Sequence, residues 1–216
     1  MLQQTQVDRV IPYFERFTAQ FPSFAALAAA PRSEVIRAWA GLGYNRRAVQ
    51  LHELARVVVE RHNGELPADR EALLALPGIG PYTAGALLSI AFGQDEPAFD
   101  TNVARVVRRY AFDMSAGVAE VRAAARALIP AGRAGDWNQA LMDLGSSLCT
   151  ARRPRCLICP LKQGCVSAGR IDPGNEVGLG GKREGPYHGS SRYYRGRLLA
   201  QLRALPANAR ASLDEV

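Results

Sequence analysis

Four cysteines, Cys149, Cys156, Cys159 and Cys165, fall within 17 residues at the spacing C-x6-C-x2-C-x5-C. Thiolates this close together can surround one metal centre, either a tetrahedral zinc or an iron–sulfur cubane. Zinc modules usually pair their cysteines as two C-x2-C knuckles, and here only Cys156 and Cys159 are so paired. The sequence shows no signal-peptide pattern and no apolar run of membrane-spanning length. A cytoplasmic chain is therefore expected, in which clustered cysteines point to a metal site or redox chemistry rather than to structural disulfides.

A second group of residues could grip an anion. The string Leu76-Pro77-Gly78-Ile79-Gly80-Pro81-Tyr82-Thr83-Ala84 sets two glycines two residues apart between helical segments. Glycines there let the backbone turn sharply and present bare N–H groups at the mouth of the next helix. Such a nest holds a phosphate without reading base sequence. Sixteen residues beyond Ala84 stands Asp100, in Phe99-Asp100-Thr101-Asn102-Val103. Taken alone, an aspartate in that position is a helix N-cap.

Charge agrees with a polyanionic partner. The formal net charge is +7, and residues 151–200 hold ten Lys or Arg against three Asp or Glu. Arg152, Arg153, Arg155 and Lys162 lie among the cysteines. A loop pinned by a metal centre would hold these cations in place, which favours phosphate contacts at little ordering cost.

The elements that must position these groups are helices. Val7, Val10, Ile11, Phe14 and Phe17 recur at the spacing of one buried helix face. Ser33 is read as the N-cap of a helix that buries Val35, Ile36 and Trp39. A helix over about 46–62 turns Leu51, Leu54, Ala55 and Val58 inward and stops at Asn63-Gly64. Further helices are predicted near 69–75, 82–92, 102–112, 118–129 and 138–148. No alternating strand and no internal repeat stands out, so the fold class is all-α. Residues 170–190 read as a Gly- and Pro-rich linker, followed by an amphipathic helix over 191–205.

The cysteine spacing resembles the [4Fe-4S] loop of the endonuclease III and adenine glycosylase family of DNA repair enzymes. The L-P-G-I-G-x-x-T-A string resembles that superfamily's helix-hairpin-helix, and Asp100 stands where the family keeps its catalytic aspartate. The start, Met1-Leu2-Gln3-Gln4-Thr5-Gln6-Val7, looks like the M-L-Q-Q-T-Q-V segment of adenine glycosylases. The resemblance covers about residues 1–168 and implies two helical lobes with double-stranded, mismatched DNA in the cleft between them. Residues 1–94 would form the lobe bearing the hairpin, 95–168 the lobe bearing the cluster, and 169–216 a basic tail.

The family pattern assigns roles residue by residue. The four cysteines would hold the [4Fe-4S] cluster. Gly78, Gly80, Tyr82 and Thr83 would contact DNA, and Gln3 and Gln4 would probe the duplex near the extruded base. Tyr44, in Gly41-Leu42-Gly43-Tyr44, resembles the tyrosine that wedges into the base stack. A rigid aromatic there would offset part of the few kcal/mol that base flipping costs. Asp100 would stabilise the positive charge that builds on deoxyribose as the N-glycosidic bond opens. Strand-cleaving relatives carry a Schiff-base lysine at the position of Tyr82. A monofunctional, monomeric glycosylase acting on adenine opposite guanine or 8-oxoguanine is therefore expected.

Two departures qualify the resemblance. The family's catalytic glutamate, which protonates the leaving adenine, lies two residues ahead of the methionine at which this sequence starts. The expectation is a start codon upstream of the one given, with a truncated, non-catalytic DNA-binding copy as the alternative. Only about fifty residues follow Cys165, too few for the domain with which long adenine glycosylases read 8-oxoguanine. Thymine or uracil mismatch glycosylases also carry Tyr at the hairpin position and form the sister reading. An iron–sulfur electron carrier is the remaining one.

Overall fold

The computed structural model describes residues 1, 2, 5–112, 115–171 and 185–205. Gln3 and Gln4 lie outside the described residues, as does most of the linker expected over 170–190. The described residues up to 171 form one compact unit, and 185–205 belong to a second. Helices make up the regular structure, and no strand occurs among the described residues. The all-α expectation holds.

The chain order is α1 (Val7–Gln20), α2 (Phe24–Ala29), α3 (Arg32–Ala38), α4 (Arg46–Arg61), α5 (Arg70–Leu74), α6 (Pro81–Ala86), α7 (Thr101–Ala111), α8 (Val118–Ala127), α9 (Ala134–Ser147) and α10 (Ser191–Ala204). The hairpin helix α6 runs on as a wider π-turn over Leu87–Ala91. Two short 3-10 turns, Cys156–Ile158 and Lys162–Gly164, shape the cysteine loop.

Three buried clusters hold the larger unit together. Val10, Phe17, Val35, Trp39 and Ala48 pack α1 to α4. Leu54, Val58, Leu73, Leu76, Ala84 and Leu88 join α4 to the hairpin. Val103, Val107, Val121, Ala125 and Leu141 join α7, α8 and α9. Fully burying a side chain such as Val58 or Leu73 contributes roughly 1.5–3 kcal/mol, so α4 is anchored along its length by the hairpin elements.

Several sequence readings are corrected. Of the face read along α1, Val10 and Phe17 are buried, but Val7, Ile11 and Phe14 are exposed. The 3.6-residue period finds an apolar stripe, but not how much of it the neighbours cover. The N-cap of α3 is Pro31, not Ser33, which lies within the first turn. Proline's fixed φ places it readily at a helix start. α2 was not anticipated; Ser23 caps it by accepting the Ala26 N–H at 3.1 Å. α9 begins at Ala134, four residues before the expected 138, and takes Gly135 into its first turn, where it allows a close approach. A Cβ there would stand 3.2 Å from the Ser89 carbonyl oxygen. The stop at Asn63-Gly64 is as read, with φ of 53° and 82°.

In the second unit, α10 starts at Ser190, whose hydroxyl accepts the Tyr193 N–H. Tyr187, His188, Tyr193 and Tyr194 stack edge to face around its first turn.

Candidate nucleic-acid interface and cluster loop

α4 brings two of the singled-out segments to one end of the molecule. Near its start Arg47 reaches back, donating to the carbonyls of Met1 at 2.9 Å and Leu42 at 3.3 Å. Its guanidinium also lies over the rings of Trp39 and Tyr44. Burial pulls the Arg47 pKa down from its ordinary value, and nearby Tyr44 pulls the other way. Arg47 therefore clips the N-terminal segment to the loop that carries Tyr44. That loop is tightly bent: Gly41, Gly43 and Tyr44 all have positive φ. Tyr44 is 55% exposed, a strained, outward-pointing aromatic. Arg47 was not singled out from sequence.

One turn further along α4, Gln50 supports the hairpin. Gly78 has a φ of 78°, and a Cβ there would lie 2.9 Å from the Gln50 Cβ. Gly80 differs. Its φ of −101° suits any residue, and a Cβ would meet nothing within 4 Å. The space that Gly80 leaves open therefore faces away from this chain. α6 starts at once with Pro81, so Tyr82 and Thr83 occupy its first turn.

Tyr82 points toward the second half of the molecule. Its hydroxyl donates to the Met142 sulfur at 3.2 Å. Burial raises the phenol pKa, and the Asp100 carboxylate raises it further. The charge of Asp100 is thus felt at Tyr82, although 18 residues separate them in sequence.

Asp100 is the N-cap of α7, as its residue type alone suggests. Oδ1 accepts the Val103 N–H at 2.7 Å, and Oδ2 accepts from the Asn102 amide at 3.3 Å. The cap fixes the carboxylate in one orientation at the mouth of the helix. Below it, Arg105 donates to the carbonyls of Gly145 and Cys149, and to Asn102. A turn on, Arg109 is only 1% exposed. It donates to the Cys149 sulfur at 3.3 Å, to Thr150 O at 2.9 Å and to Ala151 O at 3.1 Å. One face of α7 thus runs from the Asp100 carboxylate to the cysteine loop.

Cys149, Cys156, Cys159 and Cys165 are all free thiols, and all four line one cavity with Arg109, Leu148 and Lys162. Burial pushes the Cys165 thiol up; a backbone N–H from Ser167 opposes this, and the three neighbouring sulfurs add to it. Four thiolates sharing a cavity need positive charge between them. The lining is an all-sulfur donor set, and a cubane spreads four such ligands over one cage. The donor set fits a [4Fe-4S] cluster. Arg152, Arg153, Arg155 and Lys162 are exposed around the loop, and no acidic side chain pairs with them among the described residues. Leu157 stands 86% exposed at its tip.

Comparison with known proteins agrees with this layout. Residues 1–131 match the HhH-GPD superfamily of base excision DNA repair proteins. Residues 149–165 match the iron–sulfur binding domain of endonuclease III. An adenine DNA glycosylase of Mycolicibacterium smegmatis is 43% identical over 220 residues, covering 100% of this chain and 74% of that protein. The adenine DNA glycosylase of Homo sapiens is 44% identical over 178 residues, which is 80% of this chain and 33% of that one. Among solved structures, a thermostable thymine-DNA glycosylase superposes with a TM-score of 0.73 at 32% identity, covering 79% of this chain and 81% of that one. A trapped endonuclease III–DNA covalent intermediate superposes with a TM-score of 0.67 at 29% identity, covering 76% and 78%.

Proposed function

The chain belongs to the HhH-GPD superfamily of base excision DNA repair proteins, and we propose that it is a monofunctional adenine DNA glycosylase. The observation that carries the reading is the Asp100 carboxylate, held in one orientation by its cap on Val103. A fixed carboxylate stands beside the hairpin helix, and a phenol occupies the place of a Schiff-base lysine. The substrate is double-stranded DNA with adenine opposite guanine or 8-oxoguanine. It lies in the cleft between lobes 1–94 and 95–168, with 169–216 as a separate basic tail and the protein acting as a monomer.

In this reading the hairpin amides around Gly78, Gly80, Tyr82 and Thr83 hold a phosphate, with Gly80 leaving room for the backbone to approach. Tyr44 enters the stack, and Gln3 and Gln4 meet the duplex beside it. Asp100 stabilises positive charge at C1′ as the C1′–N bond opens. Water adds to C1′, and adenine leaves as the neutral base. The proton for the base comes from the glutamate that the family pattern puts two residues ahead of Met1. The [4Fe-4S] cluster, bound by Cys149, Cys156, Cys159 and Cys165, supplies a rigid frame. Arg152, Arg153, Arg155 and Lys162 then meet phosphates from fixed positions. No helix among the described residues is long and apolar enough to cross a membrane, and a cytoplasmic location is part of the proposal.

The superposition on a thymine-DNA glycosylase favours a second reading, release of thymine from a mismatch. One experiment separates the two. The chain as given, and a form extended upstream through Glu-Val, are incubated with duplexes carrying A·G, A·8-oxoguanine, T·G or U·G. Alkali then reveals abasic sites. Adenine release supports the proposal; thymine or uracil release alone replaces it with the second reading.

A further inference from the structure

Asn138 sits in α9 with no exposed surface, and its amide joins three separate segments. Oδ1 accepts the Ala98 N–H at 2.8 Å, while Nδ2 donates to the Glu96 carbonyl at 2.9 Å and to Ser89 Oγ at 2.8 Å. Ser89 in turn donates to the Gly85 carbonyl at 2.8 Å. The chain of bonds therefore runs from the linker ahead of α7, through α9, to the π-turn that continues the hairpin helix.

The backbones themselves meet closely here. A Cβ on Gly85 would collide with the Pro97 carbonyl oxygen, and one on Gly135 would crowd the Ser89 carbonyl. Glycines at both positions let α6, the linker and α9 touch, and Asn138 fills the centre of the junction. A π-turn inside a helix is most common where function needs a local departure from regular geometry.

Packing alone would not require an amide at this position. An apolar residue of the same size would fill the space, and a buried amide is tolerated only when its hydrogen bonds are met. What an amide adds is a fixed acceptor and a fixed donor, read by the N–H of Ala98 and the carbonyl of Glu96. Ala98 lies two residues ahead of Asp100, whose own carboxylate is locked downstream by Val103 and Asn102. The segment that delivers the carboxylate is thus held at both ends.

We propose that Asn138 is a positioning residue for base release: with Ser89 it locks the Asp100 segment to the hairpin helix, so that the phosphate grip and the carboxylate act as one rigid body. The proposal rests on the reading of Asp100 as the carboxylate that acts on deoxyribose. A small misplacement of a reacting group remote from its support costs roughly 100-fold in rate, and that sets the expected effect.

Three variants test it in the protein extended through Glu-Val: Asn138→Leu, Asn138→Asp and Ser89→Ala. The measurements are single-turnover adenine release at saturating enzyme, Kd for a duplex with an uncleavable adenine analogue, thermal midpoint and visible cluster absorbance. Asn138→Leu is expected to slow release by roughly 100-fold while Kd stays within about threefold, and Ser89→Ala to slow it by less. Asn138→Asp keeps the bond to Ala98, but its ionised form has no hydrogen for the Glu96 carbonyl. Its rate relative to the parent is expected to recover as pH falls, a response that loss of packing would not produce. If Asn138→Leu does not fold, the other two variants decide. Parental release rates in folded variants, or rates that fall in step with affinity, contradict the proposal alone. A parent that releases no adenine contradicts the functional reading on which it rests.

Discussion

The Tyr82 hydroxyl donates to the Met142 sulfur at 3.2 Å, across 60 residues of sequence, and the same ring lies in the field of Asp100. The side chain at the hairpin's variable position is thus part of the contact between the hairpin helix and α9. It has no amine with which to attack C1′. Borohydride added during turnover is expected to trap no covalent protein–DNA adduct, and strands should stay intact until alkali is added. An adduct at any residue would contradict the monofunctional assignment.

The same tyrosine gives a pH signature. Burial and Asp100 both hold the phenol proton on, so the folded pKa lies above the unfolded value of about 10. The sign follows: this contribution to stability is complete below the unfolded pKa and is lost as pH rises toward the folded one. Thermal midpoints of the parent and Tyr82→Phe, compared at neutral pH and above about 10, should show the parent losing more stability on the alkaline side. Parallel profiles would count against the burial of the Tyr82 phenol.

Arg109 ties α7 to the cysteine loop through a ligand sulfur and two carbonyls. Arg109→Leu would remove the donor to those partly buried and exposed acceptors, at about 0.5–1.5 kcal/mol for each hydrogen bond lost. Lower iron and sulfide content is expected, with faster bleaching of the visible absorbance in air. Cys159→Ser should lose the absorbance outright. A colourless parent holding one zinc would overturn the cluster assignment.

The two hairpin glycines should separate. Gly78→Ala forces a side chain onto Gln50 at positive φ, so both stability and duplex affinity should fall. Gly80→Ala meets nothing in the chain, so its thermal midpoint should change little while duplex affinity falls. Unchanged affinity in Gly80→Ala would remove Gly80 from the interface.

How legible these features were depended on how local they are. The cysteine loop, the hairpin and Asp100 carry their chemistry in residue types at short fixed spacing, whereas nothing in the sequence itself says that Tyr82 reaches Met142. Arg47, Arg109 and Asn138 gave no such signal. Each is a polar residue with a partner 40 or more residues away, so its burial is decided by tertiary contacts. The exposed half of the α1 stripe, Val7, Ile11 and Phe14, failed for the same reason, since periodicity does not say how far a neighbour reaches.

The most direct test takes the form extended upstream through Glu-Val as the parent and compares it with Asp100→Asn on one duplex containing a single A·G pair. Asparagine caps a helix as well as aspartate does, so the cap on Val103 is kept and the thermal midpoint should barely move. Adenine and an alkali-labile site are expected from the parent. Asp100→Asn should bind the duplex with similar Kd and release no base. Equal release by Asp100→Asn would contradict the role of Asp100, and release of a base other than adenine by the parent would contradict the proposed function.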